Sequence, residues 1–186
     1  MPRSAWNLKD QNIKGYQMRT RQEFNGIFIK QYTKSTLPIL TPEQLADVEY
    51  QLENRYFTNN PQFKPTEREQ FWGITECPPG STYWVHFRLR LNNVIETLSE
   101  NPTSNHAVIT IDYPPQRPCY QCFQFKIKNG VEMTCFARSL DLDNGLPVDA
   151  NIFWKVGVEV VSKALKIHTR KGVLNIISVG AHNYVY

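Results

Sequence analysis

Cys119 and Cys122 stand three positions apart, and what either can do depends on the groups brought beside it. A thiolate is a strong nucleophile and a thiol a poor one, so a nearby guanidinium such as Arg138 would activate the sulfur by lowering its pKa. An isolated cysteine is more often a small buried apolar residue. A Cys-x-x-Cys pair is also half a zinc site or a redox pair, but no second such pair and no Cys/His pair at ligand spacing completes a metal centre. Arg138-Ser139 sets a planar guanidinium, suited to bidentate phosphate contact, beside a hydroxyl. Asp149, when ionised, offers hydrogen-bond acceptors only; its structural alternative is a helix N-cap.

These groups need elements to position them. Thr41-Pro42-Glu43-Gln44 reads as a helix start, with Thr41 as cap, Pro42 at the first position and Gln44 reaching back; the helix runs over 42–57 with Glu49 and Glu53 one turn apart on one face. Residues 59–81, rich in proline, read mostly as loop. A strand or a helix over 83–89 leads into a helix over 91–99, which Asn101-Pro102 ends. A short strand follows at 107–111. Phe123, Phe125 and Ile127 then alternate with polar residues, Asn129-Gly130 suggests a type I′ turn, and Val131, Met133, Cys135 and Ala137 alternate back. An amphipathic helix spans 149–167 and a strand 174–179. Aromatic and aliphatic residues between Tyr16 and Tyr32 suggest short strands of poor register. The order of elements points to one α/β (α+β) domain over 1–186, a mostly β hub with flanking helices.

The chain's 186 residues, 41% of them hydrophobic, suffice for a core without staples. Four cysteines (Cys77, Cys119, Cys122, Cys135) without a secretory leader read as free thiols, and no run of 18 uncharged apolar residues suggests a membrane span. A cytoplasmic protein is expected. A net charge of +4, spread along the chain, suits small anionic ligands and gives no tract dense enough for direct nucleic-acid binding.

The order and spacing of Pro118-Cys119, Gln124-Phe125, Asn129-Gly130, Arg138-Ser139-Leu140-Asp141 and Gly145-Leu146-Pro147-Val148-Asp149 closely resemble the heart of the thymidylate synthase and pyrimidine hydroxymethylase family. The resemblance begins in pieces near Arg19 and is most specific between residues 91 and 184. It implies a minimal version of that family's mixed β-sheet hub with flanking helices. It assigns Cys119 as the nucleophile that adds to C6 of a pyrimidine nucleotide, with Tyr120 where most members have histidine. It assigns Arg138 and Ser139, with Arg19, to phosphate, and His182 and Tyr184 to the ribose 3′-hydroxyl. Asp141 falls where members bind the pterin ring, and Trp72, with Phe71 beside it, where an aromatic residue stacks. Counting from Pro38-Ile39-Leu40-Thr41 puts the general acid/base at Glu53, with Glu49 as fallback. Asn105 and His106 replace the paired arginines that cross the family's dimer interface.

Asp149 sets the expected substrate, because uracil-specific members carry asparagine at the matching position. An amide accepts from uracil N3–H and donates to O4, whereas a carboxylate suits the N4 amino group of cytosine and would help hold a shared proton at N3. The resemblance therefore implies a deoxycytidylate-type hydroxymethylase using 5,10-methylenetetrahydrofolate and no metal, working as a homodimer. Such an enzyme would suit a virus that modifies its DNA, acting in host cytoplasm. The alternatives are a thymidylate synthase-type methyltransferase, a non-catalytic nucleotide-binding relative and, third, a metal or redox protein built on Cys119 and Cys122.

Overall fold

The computed structural model describes residues 20–61, 63–71, 83–111 and 119–185, without the side chains of 20–23, 25, 71, 184 and 185. Six strands form one mixed sheet: β1 (Thr20–Tyr32), β2 (Val108–Thr110), β3 (Tyr120–Ile127), β4 (Val131–Ala137), β5 (Leu140–Asp141) and β6 (Val173–Val185). The order is β1-β6-β4-β3-β2, with β5 also paired to β6. β6 runs parallel to β4 and β5 and antiparallel to β1. The poor register of the sequence between residues 16 and 32 has a structural cause. β1 is one long strand whose pairing shifts between Asn25 and Phe28, where Gly26 adopts φ +130°, so its alternation resets midway.

The helices pack on one face of the sheet. α1 (Pro42–Gln51) starts as expected: Thr41 Oγ1 accepts the Gln44 N–H at 3.2 Å and Gln44 Oε1 accepts the Thr41 N–H at 3.1 Å. It continues into a π-helical turn, Leu52–Tyr56, whose wider winding carries Arg55 and Tyr56 inward while Glu53 stays outside. A short helix, α2 (Glu67–Phe71), lies within the segment expected to be loop. The choice left open at 83–89 resolves as helix, since α3 (Tyr83–Glu100) is continuous.

Two expectations are corrected. Among the described residues Gly26 and Lys166 have positive φ and Asn129 and Gly130 do not, so the hairpin turn is not type I′. Lys128, Asn129 and Gly130 instead span the paired Ile127 and Val131, and the Lys128 N–H donates to the Gly130 carbonyl at 3.1 Å. Glycine is required by a close approach, since a Cβ at 130 would sit 2.2 Å from the Lys171 carbonyl oxygen. The second correction is to the helix expected from 149. α4 (Gly145–Phe153) begins earlier, with Asn144 as its N-cap, and runs through a π-helical turn (Trp154–Glu159) into α5 (Val160–Ala164). Pro147 reads as a breaker, yet in the first turn its missing N–H has no helical partner to lose.

The core fills the space between sheet and helices. Phe123, Phe125, Met133, Cys135, Leu174 and Ile176 pack with Phe87, Leu98, Phe153, Trp154 and Val158. A bulge between Tyr120 and Cys122 puts Tyr120 on the same inner face as Phe123, with the rings stacked 5.9 Å apart.

Candidate active site

Cys119 sits half-buried at the head of β3. Its carbonyl accepts the Arg138 N–H at 2.8 Å, which ties it to the end of β4. The Arg138 side chain is exposed there. One residue on, Ser139 Oγ lies 3.2 Å from His182 Nδ1, and the Leu142 N–H donates to the His182 carbonyl at 2.9 Å. Parallel pairing of β5 with β6 sets Asp141 opposite His182. The start of β3, the end of β4, β5 and the later part of β6 are neighbours in the sheet, which groups Cys119 with Arg138 and Ser139, and Asp141 with His182, at the same end of these strands. Tyr184 lies two residues along β6, its backbone paired with Arg21. Arg19, Trp72, Cys77 and Pro118 lie outside the described residues.

Asp149 comes to this region from the helical side. It lies inside α4 and is not its cap, which removes the N-cap alternative. Burial lifts its pKa from 3.8 to about 6, against the opposing pull of Arg68. Beside it the Tyr83 hydroxyl accepts the Tyr120 N–H at 3.2 Å. Burial pushes the Tyr83 pKa well up, and negative charge on Cys119 and then on Asp149 pushes it further. The Tyr120 hydroxyl is fully buried and approaches Asp149 without closing a hydrogen bond of normal geometry. Rings of Phe123 and Phe153 lie 6.1 and 5.9 Å from Tyr83 and make the surroundings apolar.

The sequence reading missed three contributors to this site. Arg68, on α2, donates from Nε to Asp47 Oδ2 at 2.7 Å and from Nη1 to Asp149 Oδ1 at 3.3 Å. The run Glu67-Arg68-Glu69 reads as a solvated face, yet two of its members turn inward. Glu69 takes Arg55 in a two-pronged ion pair, 2.7 Å at each oxygen. Asp47 looks equally like surface charge, but its Oδ1 accepts from Gln51 Nε2 at 2.8 Å in the interior. Tyr83 carries no local signal at all.

Other expected residues divide. Glu53 and Glu49 are exposed, and among the described residues neither carboxylate is paired. Asp141 Oδ1 accepts the N–H groups of Asp143 and Asn144 at 3.2 and 3.0 Å, closing the entry to α4, while its Oδ2 is buried without a partner among the described residues. Asn151, two residues beyond Asp149, uses its amide on the Pro38 and Pro147 carbonyls at 3.1 and 2.9 Å. Asn105 and His106 are exposed just before β2. Cys119, Cys122 and Cys135 are in no disulfide. Among the described residues no group of three or more His, Cys, Asp or Glu is arranged to hold a metal, and no helix is long and apolar enough to cross a membrane.

No family model matches the chain. Over 102 residues it is 32% identical to a putative thymidylate synthase of Methanosarcina barkeri (strain Fusaro / DSM 804), a match covering 51% of this chain and 46% of that protein. The chain thus spans about half the length of that curated relative. Among solved structures it is similar to the thermostable thymidylate synthase A of Bacillus subtilis, with TM-score 0.61 and 15% identity over 90% of this chain and 68% of that one. Thymidylate synthase from T4 phage gives TM-score 0.60 and 16% identity over 86% and 66%. The chain has the thymidylate synthase fold.

Proposed function

We propose that this protein transfers a one-carbon unit to C5 of a cytosine nucleotide, giving a 5-hydroxymethylcytosine nucleotide. The observation that carries the reading is Asp149: a part-buried carboxylate held by Arg68, at a position where an amide would suit uracil, and close enough to Tyr83 to raise its pKa, as Cys119 also does. Cys119 Sγ adds to C6 of the base, which makes C5 nucleophilic. Arg138 and Ser139 receive the phosphate, and His182 with Tyr184 the ribose hydroxyl. Glu53, or Glu49 after it, organises proton transfer and water. Capture of the new one-carbon arm by water leaves a hydroxymethyl group; hydride would leave a methyl group, the thymidylate synthase-type outcome.

5,10-Methylenetetrahydrofolate supplies the carbon. The donor set fits a reduced folate at one described point, since the unpartnered, buried Oδ2 of Asp141 suits the N–H donors of a pterin. Trp72 is the proposed stacking partner. Exposed Asn105 and His106 in place of two fixed charges favour a second reading, a non-catalytic relative that binds nucleotide.

Release of tritium from C5-labelled dCMP and dUMP separates these readings. Turnover of dCMP, lost in Cys119→Ser and kept in Cys122→Ser, is the expected result. Asp149→Asn should move the dCMP/dUMP ratio of kcat/KM at least about tenfold toward dUMP, roughly 1.4 kcal/mol for one altered hydrogen-bond set. Nucleotide binding with no release from either label would establish the non-catalytic reading, and an unchanged ratio would remove Asp149 from base selection.

A further inference from the structure

Asp149 does not hold Arg68 to itself. The short contact of the guanidinium, 2.7 Å from Nε, goes to Asp47, and Asp149 receives a 3.3 Å contact from Nη1 on one oxygen, Oδ1. Asp47 is fixed from its other side by Gln51 Nε2 at 2.8 Å, so its claim on Arg68 is firm. The two oxygens of Asp149 are therefore unequal before any ligand arrives.

That inequality matters because neutral cytosine presents an amino donor at position 4 and a lone pair at N3. A bare carboxylate satisfies the first and repels the second, whereas a carboxyl with one proton satisfies both. Uracil presents an oxygen at position 4 and N–H at N3, and a protonated carboxyl would satisfy it equally well with the proton on the other oxygen. A symmetric acid would accept both bases. We propose, resting on the function above, that Arg68 and Asp47 are positioning residues that make Asp149 a one-sided reader. Arg68 keeps Oδ1 a proton-free acceptor for the exocyclic amino group, and Asp47 draws the guanidinium back enough for Oδ2 to share a proton with N3. Uracil then meets acceptor against O4 and donor against N3–H.

The other groups facing Asp149 leave that proton to it. Tyr56 follows α1, Tyr83 is on α3, Tyr120 on β3 and Cys135 on β4; burial first, and Asp149 among the further causes, raises all four, so they are neutral at pH 5–8. Glu69, beside Arg68, is bound by Arg55. The rise of Asp149 to about 6 puts its proton within reach near neutrality.

Calorimetry of dCMP and dUMP binding from pH 5.5 to 8.5, in buffers of different ionisation enthalpy, tests the inference on the unaltered protein and on Arg68→Met, Asp47→Asn and Asp149→Asn. Above pH 6 the unaltered protein should take up close to one proton with dCMP, its Kd rising toward tenfold per pH unit; Asp149→Asn should take up none. Asp47→Asn frees Arg68 for Asp149 and moves the pH midpoint down, whereas Arg68→Met moves it up and cuts dCMP/dUMP discrimination at least tenfold. Opposite movements are not the mark of a structural role, which would weaken both nucleotides together and leave the midpoint in place. Should Arg68→Met fail to fold, proton uptake by the unaltered protein and the Asp47→Asn midpoint still decide. If dCMP binds with no proton uptake, or both midpoints stay fixed, the inference is overturned while the cytosine reading stands. If neither nucleotide binds, both fall.

Discussion

Asp149 is a carboxyl whose burial works against its own charge. Its native pKa of about 6 exceeds the ordinary 3.8, so its contribution to stability is full below the ordinary value and is lost as pH rises through about 6. Above that, ionised Asp149 costs on the order of 2–3 kcal/mol. Asp149→Asn removes this penalty and leaves Arg68 still paired with Asp47. Thermal melts should show the variant several degrees more stable at pH 7.5, with the difference shrinking toward pH 4. A variant less stable at every pH would mean that the Arg68 contact outweighs burial. The sequence singled the position out because the resemblance to the family runs without a gap from Arg138 to Asp149; its buried partners gave no such signal, because Arg68 and Asp47 sit among charges that resemble a solvated face.

At the scale of elements, local chemistry was readable where it is self-contained. The Thr41 capping box, the stop at Asn101-Pro102 and the alternation of β3 and β4 each depend on neighbours in sequence. The turn at Asn129-Gly130 was misjudged because its geometry answers to Lys171, which is distant in the chain. The start of α4 was missed because Pro147 is harmless only in a first turn. α2 was invisible for a different reason: its five residues are held by Arg55, which binds Glu69 with both terminal nitrogens and the Lys64 carbonyl at 2.7 Å. Arg55 is 1% exposed. Arg55→Met should therefore cost about 3–5 kcal/mol by urea unfolding, leaving Glu69 buried and uncompensated. Adding Glu69→Met should recover most of that loss; no recovery would show that the Lys64 contact, and not the ion pair, carries the energy.

At the scale of the molecule, among the described residues the helices pack on one face of the sheet, and the other carries an apolar row in which Ile29, Ile177 and Phe136 align across β1, β6 and β4. Ile27, Ile29 and Val179 are 75%, 66% and 68% exposed, too much for a face that stays in water. We propose that a second copy covers it, burying about 800 Å² per partner. Sedimentation at micromolar concentration should give a dimer, and Phe136→Glu a monomer; a monomeric unaltered protein would end the idea. The pairing of β1 with β6 also ties two segments far apart in the chain. At ribosomal rates of about 5–20 residues per second, β6 is made roughly 7–30 s after β1. Through that interval the segment bearing Ile27 and Ile29 has no β6 to pair with. The central hairpin can close early, but the sheet's outer strand is a latecomer to its own fold, and pulse labelling during refolding should find the β1 amides protected last.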